Sequence, residues 1–313
     1  MRLVFCGTPE FAVPTLEALL HRGHAIALVL TQPDRPAGRK MELQQSAMKR
    51  AALAHGLPVL QPEKIKTNAE LRAELESIQP DAIIVVAYGR IIPEWMLKLP
   101  RFGNINLHGS LLPKYRGAAP IQWAVASGET ETGVTTMQLD AGLDTGDILL
   151  ERRLAIEPDA TASEIYPRLA SIGAELMIKT LDGLEHGTIT PRPQDDQHAT
   201  LAPILTRENG RMELDRRTAR EAYNRWRGFM PWPGAYAEFR DKRFLVHRMH
   251  PSASPEPDIR LAPGELTRAG DALLVGTADG NLILDEVQME GKARMAGVQF
   301  ANDFQLRRGE RLA

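Results

Sequence analysis

Cysteine is nearly missing from this chain of 313 residues: Cys6 is the only one. A single thiol excludes an internal disulfide framework and a cysteine-clustered metal site, and its place in the apolar run "RLVFCG" reads as a small buried side chain kept reduced. The histidines form no ligand pattern either. His21, His24, His55, His186 and His198 stand in no H-E-x-x-H or comparable spacing, so no metal is expected. Long hydrophobic runs are absent, and no apolar stretch reaches the roughly 20 residues of a membrane-crossing helix. The opening "MRLVFCGTPEF" is broken by Gly7 and Pro9 too soon for a signal peptide, so a cytoplasmic protein with no membrane attachment is expected. No sign of charge dominates: 38 Lys+Arg stand against 40 Asp+Glu, a net charge of -2. Residues 206–313 carry 18 basic and 16 acidic groups, and the rest of the chain 20 and 24. A polyanionic partner would therefore have to be held by local clusters.

What is present is an ordinary globular composition, 43% hydrophobic and 25% charged, with enough apolar side chains for a substantial core. The length exceeds what one core usually supports, so two domains are expected. In the first half short apolar runs alternate with helical patterns, the mark of parallel strands joined by crossover helices. "RLVFCG", "AIALVLTQ", "LPVLQP", "DAIIVVAYG" and "GNINLHGS" read as strands, and residues 11–22, 46–56, 68–78 and 120–127 as helices. "GVTTMQLD" and "GDILLERRLAI" read as a β-pair, followed by one long amphipathic helix over 161–186. The fold expected is α/β, with a Rossmann-like doubly wound domain over 1–189. Residues 190–208 lack a sustained period and read as a linker. Over 209–313 one helix near 217–230 and the short strands "AYAEF", "RFLVHRM", "DALLVGT" and "NLILDEVQ" predict a small β-barrel with an appended helix.

The chemical signals concentrate in "NINLHGSLLPKYRGAAPIQ", residues 104–122. Alternation along a strand puts Asn106 and His108 on one face, at the carboxyl end where open α/β sheets bind ligands. Asn can donate to a developing oxyanion, and His can exchange a proton near neutral pH; a reaction at a carbonyl needs both. Taken alone, such a pair is more often a turn cap beside a satisfied histidine. A second cluster, "LDAGLDTGDIL", offers Asp140, Asp144 and Asp147, any of which could orient His108 or simply close a turn. "CGTPEF" after the first strand lacks the G-x-G-x-x-G spacing, which argues against a dinucleotide site. Two basic stretches remain. "DRPAGRKMELQQSAMKR", residues 34–50, is a long basic connection, and residues 207–227 hold seven arginines against four acidic groups.

Together, "NINLHGSLLPKYRGAAPIQ" and "LDAGLDTGDI" resemble the signature of the enzymes that transfer a formyl group from 10-formyltetrahydrofolate. "VFCGTPEFAVPTLEALL", "TQPDRPAGR" and the late "PWPGAY" narrow the resemblance to the branch that formylates methionyl initiator tRNA for translation initiation, over nearly the whole chain. The resemblance implies a catalytic trio of Asn106, His108 and Asp144. It implies a folate-contacting turn of Ser110, Leu111, Leu112 and Pro113, with 10-formyltetrahydrofolate as donor and tetrahydrofolate as product. Arg39, Lys40 and Lys49 would reach the tRNA acceptor end, and the C-terminal barrel would be OB-like and hold the tRNA. A cytoplasmic, bacterial-type monomer without a metal is expected. The basic loop departs from the family pattern: "GRKMELQQSAMK" lacks one Lys and two prolines of the usual run and contains Glu42. Gly109 is shared with formyltransferases of amino-sugar nucleotides, the nearest rival reading; a non-catalytic RNA-binding module is the more distant one.

Overall fold

A computed structural model of the chain describes residues 1–37, 42–252 and 260–313, with Ala37 described by its backbone alone. The chain forms two compact units. Unit 1 comprises Met1–Ile121, Glu131–Ala155 and Glu164–Pro203; unit 2 comprises Gln122–Thr130, Ile156–Ser163 and Ile204–Ala313.

Unit 1 begins with β1 (Arg2–Gly7), α1 (Val13–His21) and β2 (Ala25–Leu30). A two-stranded ribbon follows, β3 (Arg35–Ala37) with β4 (Glu42–Gln44), inside the stretch that reads from sequence as a loop. The chain continues through α2 (Ala47–Ala54), β5 (Val59–Leu60), α3 (Ala69–Ile78), β6 (Ala82–Val86), α4 (Glu94–Leu97) and β7 (Asn104–His108). After β8 (Arg116–Gly117) and α5 (Pro120–Ala126), whose residues from Gln122 on belong to unit 2, come β9 (Glu131–Gln138), β10 (Ile148–Ala155), α6 (Ala162–Glu185) and β11 (Leu201–Ala202).

The main sheet has the order β10-β9-β7-β6-β1-β2-β5. Pairings from β5 to β7 are parallel, and β9 and β10 add antiparallel strands at one side. These strands form where the sequence has short apolar runs buried on both faces. Val4, Cys6, Leu28, Leu30, Ile83 and Val85 pack with Leu71, Leu75 and Ile78 of α3. On the other face α6 comes so close that a Cβ on Gly173 would stand 2.7 Å from Leu107. Because strand order reverses beside β1, the carboxyl ends of β1, β6 and β7 lie at the switch point where sheets of this kind bind ligands.

In unit 2, α7 (Ala219–Phe229) starts at a capping box in which Thr218 Oγ1 accepts from Glu221 N and the Glu221 carboxylate accepts from Thr218 N. It is followed by β12 (Ala235–Phe239), β13 (Lys242–Pro251), β14 (Leu266–Ala269), β15 (Ala272–Gly276), β16 (Asn281–Met289), β17 (Met295–Ala296) and α8 (Gly297–Asp303). The sheet runs β12-β13-β16-β15-β14, with β17 on β16. Its end strands β12 and β14 do not pair with one another. Residues 310–313 join them instead: Ala313 exchanges both backbone hydrogen bonds with Glu238, Leu266 N donates to Glu310 O, and Leu312 N donates to Gly264 O. Phe300 packs edge to face on both Phe239 and Phe244 in the core of this unit.

Candidate active site

Strand β7 carries the polar pair at its carboxyl end. Alternation sends Ile105 and Leu107 to one face and Asn104, Asn106 and His108 to the other, and all five are buried. Asn104 is spent on structure, its amide donating to the Met96 and Leu97 carbonyls of α4. Asn106 is 8% exposed, and among the described residues its side chain meets no hydrogen-bond partner. Its amide nitrogen and oxygen are not sealed from solvent, so the side chain stands open at the strand end without the cost of a buried unpartnered group.

His108 is held by its Nε2, which lies 2.9 Å from the Tyr115 carbonyl oxygen. That oxygen can only accept, so Nε2 carries a proton and Nδ1 is the nitrogen left to exchange one. Nδ1 faces Asp144 Oδ2 at 3.7 Å, within ion-pair range and too far for a hydrogen bond. The same Oδ2 accepts from Gly117 N at 2.8 Å, which fixes the carboxylate. Tyr115, at φ 61°, turns its carbonyl to the ring, and Asp144 sits at φ 53°. Both occupy a region that side-chain-bearing residues seldom take, as residues at reactive sites do.

The other acids of the cluster have different places. Asp140 accepts from Gly142 N and Thr145 Oγ1, closing the turn, while the backbone carbonyl of Asp147 accepts from Gln138 N. Only Asp144 faces His108. In the turn after β7, Ser110 Oγ donates to the Lys114 carbonyl at 2.6 Å, and Thr135 Oγ1 donates to the Ser110 carbonyl at 2.7 Å. Leu112 is buried against Met137 and Ile148. Leu111 and Pro113 are half-buried, while Ser110 is fully buried.

Arg39 and Lys40 lie outside the described residues. Lys49 is on α2 with its side chain 19% exposed, and its Nζ is 2.6 Å from Asp34 Oδ2. Asp34 also accepts from Gln61, and hydrogen bonds from Lys49 first and Gln61 second hold its carboxyl below the usual carboxylate range. The ammonium of Lys49 is thus committed to the base of the β3–β4 ribbon. Of the seven arginines between 207 and 227, Arg227 is buried and donates to the Ala160 carbonyl and to Asn224, Arg225 donates to the Asn209 carbonyl, and Arg217 pairs with Glu213. Arg207, Arg211, Arg216 and Arg220 are exposed.

Two residues escaped the sequence reading. Arg116 is 8% exposed and donates to Gln194 Oε1, whose Nε2 in turn donates to the Asp144 and Gly146 carbonyls. Gln194 lies in the Pro-rich stretch that reads as a linker, and nothing local marks it. Among the described residues no group of three or more His, Cys, Asp or Glu is placed to hold a metal ion, and no helix is long and apolar enough to cross a membrane.

Residues 1–181 match the formyl transferase model, and residues 204–305 match the model of the formyl transferase C-terminal domain. The chain belongs to the formyl transferase family. This formyl transferase is 60% identical over 301 residues to a protein of Acidobacterium capsulatum named methionyl-tRNA formyltransferase, covering 96% of each chain. Among solved structures, the N-formyltransferase of Helicobacter canadensis, in complex with folinic acid and dTDP-3-aminofucose, superposes with a TM-score of 0.66 at 19% identity. That match covers 92% of this formyl transferase and 98% of the other. HypX of Aquifex aeolicus in complex with tetrahydrofolic acid superposes with a TM-score of 0.64 at 18% identity. It covers 100% of this chain and 50% of HypX, so the formyl transferase spans half the length of that protein. At these identities the two structures speak for the fold alone.

Proposed function

We propose that this formyl transferase moves the formyl group of 10-formyltetrahydrofolate to the α-amine of methionyl initiator tRNA, as a cytoplasmic monomer serving translation initiation. The observation that carries the acceptor is the 60% identity to a methionyl-tRNA formyltransferase over 96% of both chains. The site geometry supports the chemistry. The reaction is an acyl transfer in which the amine adds to the formyl carbon and tetrahydrofolate departs through its 10-nitrogen. The amine nitrogen must lose a proton, and the departing nitrogen must gain one.

Asn106 has the one unpartnered amide at the strand end, and it donates to the formyl oxygen as negative charge builds there. His108 takes and returns the proton at Nδ1, since Nε2–H is occupied by the Tyr115 carbonyl. Asp144, 3.7 Å away, stabilises the imidazolium that results. No covalent enzyme intermediate is needed; Ser110 has its hydroxyl engaged within its own turn. The folate lies against Leu111 and Pro113, with Ser110 and Leu112 shaping the turn from inside. Unit 1, which takes in the expected linker as far as Pro203, carries this chemistry, and residues 209–313 hold the tRNA, with Arg39 and Lys40 reaching the acceptor end. Lys49 serves the same end indirectly, by bracing the ribbon through Asp34.

The test is direct. Purified protein is given 10-formyltetrahydrofolate with either methionyl initiator tRNA or an amino-sugar nucleotide, and formyl incorporation is followed. Formylmethionyl-tRNA is the expected product; transfer to the sugar alone, or to neither, refutes the reading. Sedimentation of the active protein as a dimer would refute the monomer.

A further inference from the structure

Arg116 is a buried cation that the reaction outlined above does not use. Its guanidinium donates to Gln194 Oε1 from Nε at 3.1 Å and from Nη2 at 2.8 Å, and Nη2 also meets Asp196 Oδ1 at 2.7 Å. Asp196 is 82% exposed, so its pairing adds little, and the fixed partner is the Gln194 amide. The opposite end of that amide donates to two carbonyls, Asp144 O and Gly146 O, each at 2.8 Å. A primary amide is suited to this place: it accepts at one end and donates twice at the other without carrying charge. The loop it grips has little room to relax. A Cβ on Gly146 would stand 1.7 Å from the Gln138 carbonyl oxygen, and Asp144 already has a left-handed backbone.

We propose that Gln194, oriented by Arg116, is a positioning residue that holds the Asp144–Gly146 main chain so that the Asp144 carboxylate stays on Gly117 N–H and against His108 Nδ1. The loop is then pinned twice, at its carboxylate by Gly117 and at its carbonyls by Gln194. The consequence for turnover rests on the reading of His108 and Asp144 given above. The geometric content does not, and can be measured without substrates.

Gln194→Glu keeps the shape and the Arg116 contact but sets a carboxylate oxygen against two carbonyl oxygens. Gln194→Met keeps the bulk and removes both functions. Each is examined by the Gly117 amide signal in 1H–15N spectra of the substrate-free protein, by thermal unfolding, and by kcat and KM for formyl transfer. In both variants the Gly117 amide is expected to move toward its position in Asp144→Ala. Turnover falls about tenfold or more while KM for either substrate stays within about threefold, the split of a group that acts on the transition state through another. Adding Gln194→Glu to Asp144→Ala costs less than about twofold further, because both changes remove the same interaction. An unmoved Gly117 amide in a folded variant overturns the proposal, as does a Gln194→Glu loss equally large with and without Asp144→Ala. If Gln194→Glu does not fold, Gln194→Met is judged by the same readings. If the wild-type protein transfers no formyl group to methionyl-tRNA, the functional reading fails, and the Gly117 amide alone decides the positioning role.

Discussion

At the scale of single residues, the site is marked by groups that the folded state does not use. Asn104 and Asn106 are two residues apart on one strand face and both are buried, yet only Asn104 spends its amide protons on the protein, on two carbonyls of α4. The Asn106 side chain, among the described residues, contributes no hydrogen bond to the fold, so removing its amide leaves no partner stranded. Asn106→Ala is therefore expected to leave the unfolding midpoint at or slightly above that of the wild type. The same change should lower kcat by about 10²–10³, the usual cost of one oxyanion donor. KM for the tRNA should hardly move. Calorimetry and steady-state formylation check the pair of outcomes, and a variant that is markedly less stable but equally active would reassign Asn106 to the fold. His108→Ala differs, since it removes the hydrogen bond that holds the ring to the Tyr115 carbonyl and must cost stability as well as turnover.

At the scale of elements, the buried strands were legible because each is a short apolar run bounded by turn residues; β6 and β7 are buried along their whole length. Asn106 and His108 were legible for the same reason, lying at the end of such a run. What escaped the sequence depends on partners far away. The β8–β11 pairing joins two residues to two others across more than eighty positions, and Gln194 reaches Asp144 across fifty; no local pattern encodes either. Lys49 and Arg227 read as cations available to a partner, and Asp34, fifteen residues before Lys49, and the Ala160 carbonyl, which no composition count includes, claim them.

The segment over 310–313 is another long-range closure, and it titrates. Glu310 accepts from Arg240 at 2.8 and 2.9 Å and from Arg307 N, and these bonds, the Arg240 pair first, hold its carboxyl below the ordinary range. A depressed carboxylate adds stability that is complete above its unfolded pKa, about 4.3, and lost as pH falls through the lower folded value. Glu310→Gln should accordingly unfold unit 2 at a lower temperature at pH 7, and the difference from wild type should shrink toward zero as pH drops below about 4. A gap that is constant with pH would show that the carboxylate charge is not what ties the segment to β12.

At the scale of the whole molecule, the balance of charge limits how a tRNA can be held. A net charge of -2 gives no general attraction for a polyanion, so affinity must come from a few exposed cations acting where they stand. The seven arginines of residues 207–227 divide accordingly into an inner set, Arg217, Arg225 and Arg227, and an exposed set, Arg207, Arg211, Arg216 and Arg220. Each exposed arginine that meets a phosphate adds about 0.7–0.9 to the magnitude of the slope of log affinity against log salt. Replacing all four by Gln should cut that slope by about 3 and weaken methionyl-tRNA binding at low salt far more than at high salt, with kcat at saturation unchanged. Arg227→Gln should instead lower the unfolding temperature, because it strands the Ala160 carbonyl and the Asn224 side chain. Filter binding across a salt series, beside thermal unfolding, separates the two sets. A quadruple variant with the wild-type slope would move the tRNA contacts to other residues, whereas a stable Arg227→Gln with a reduced slope would put that arginine on the nucleic acid after all.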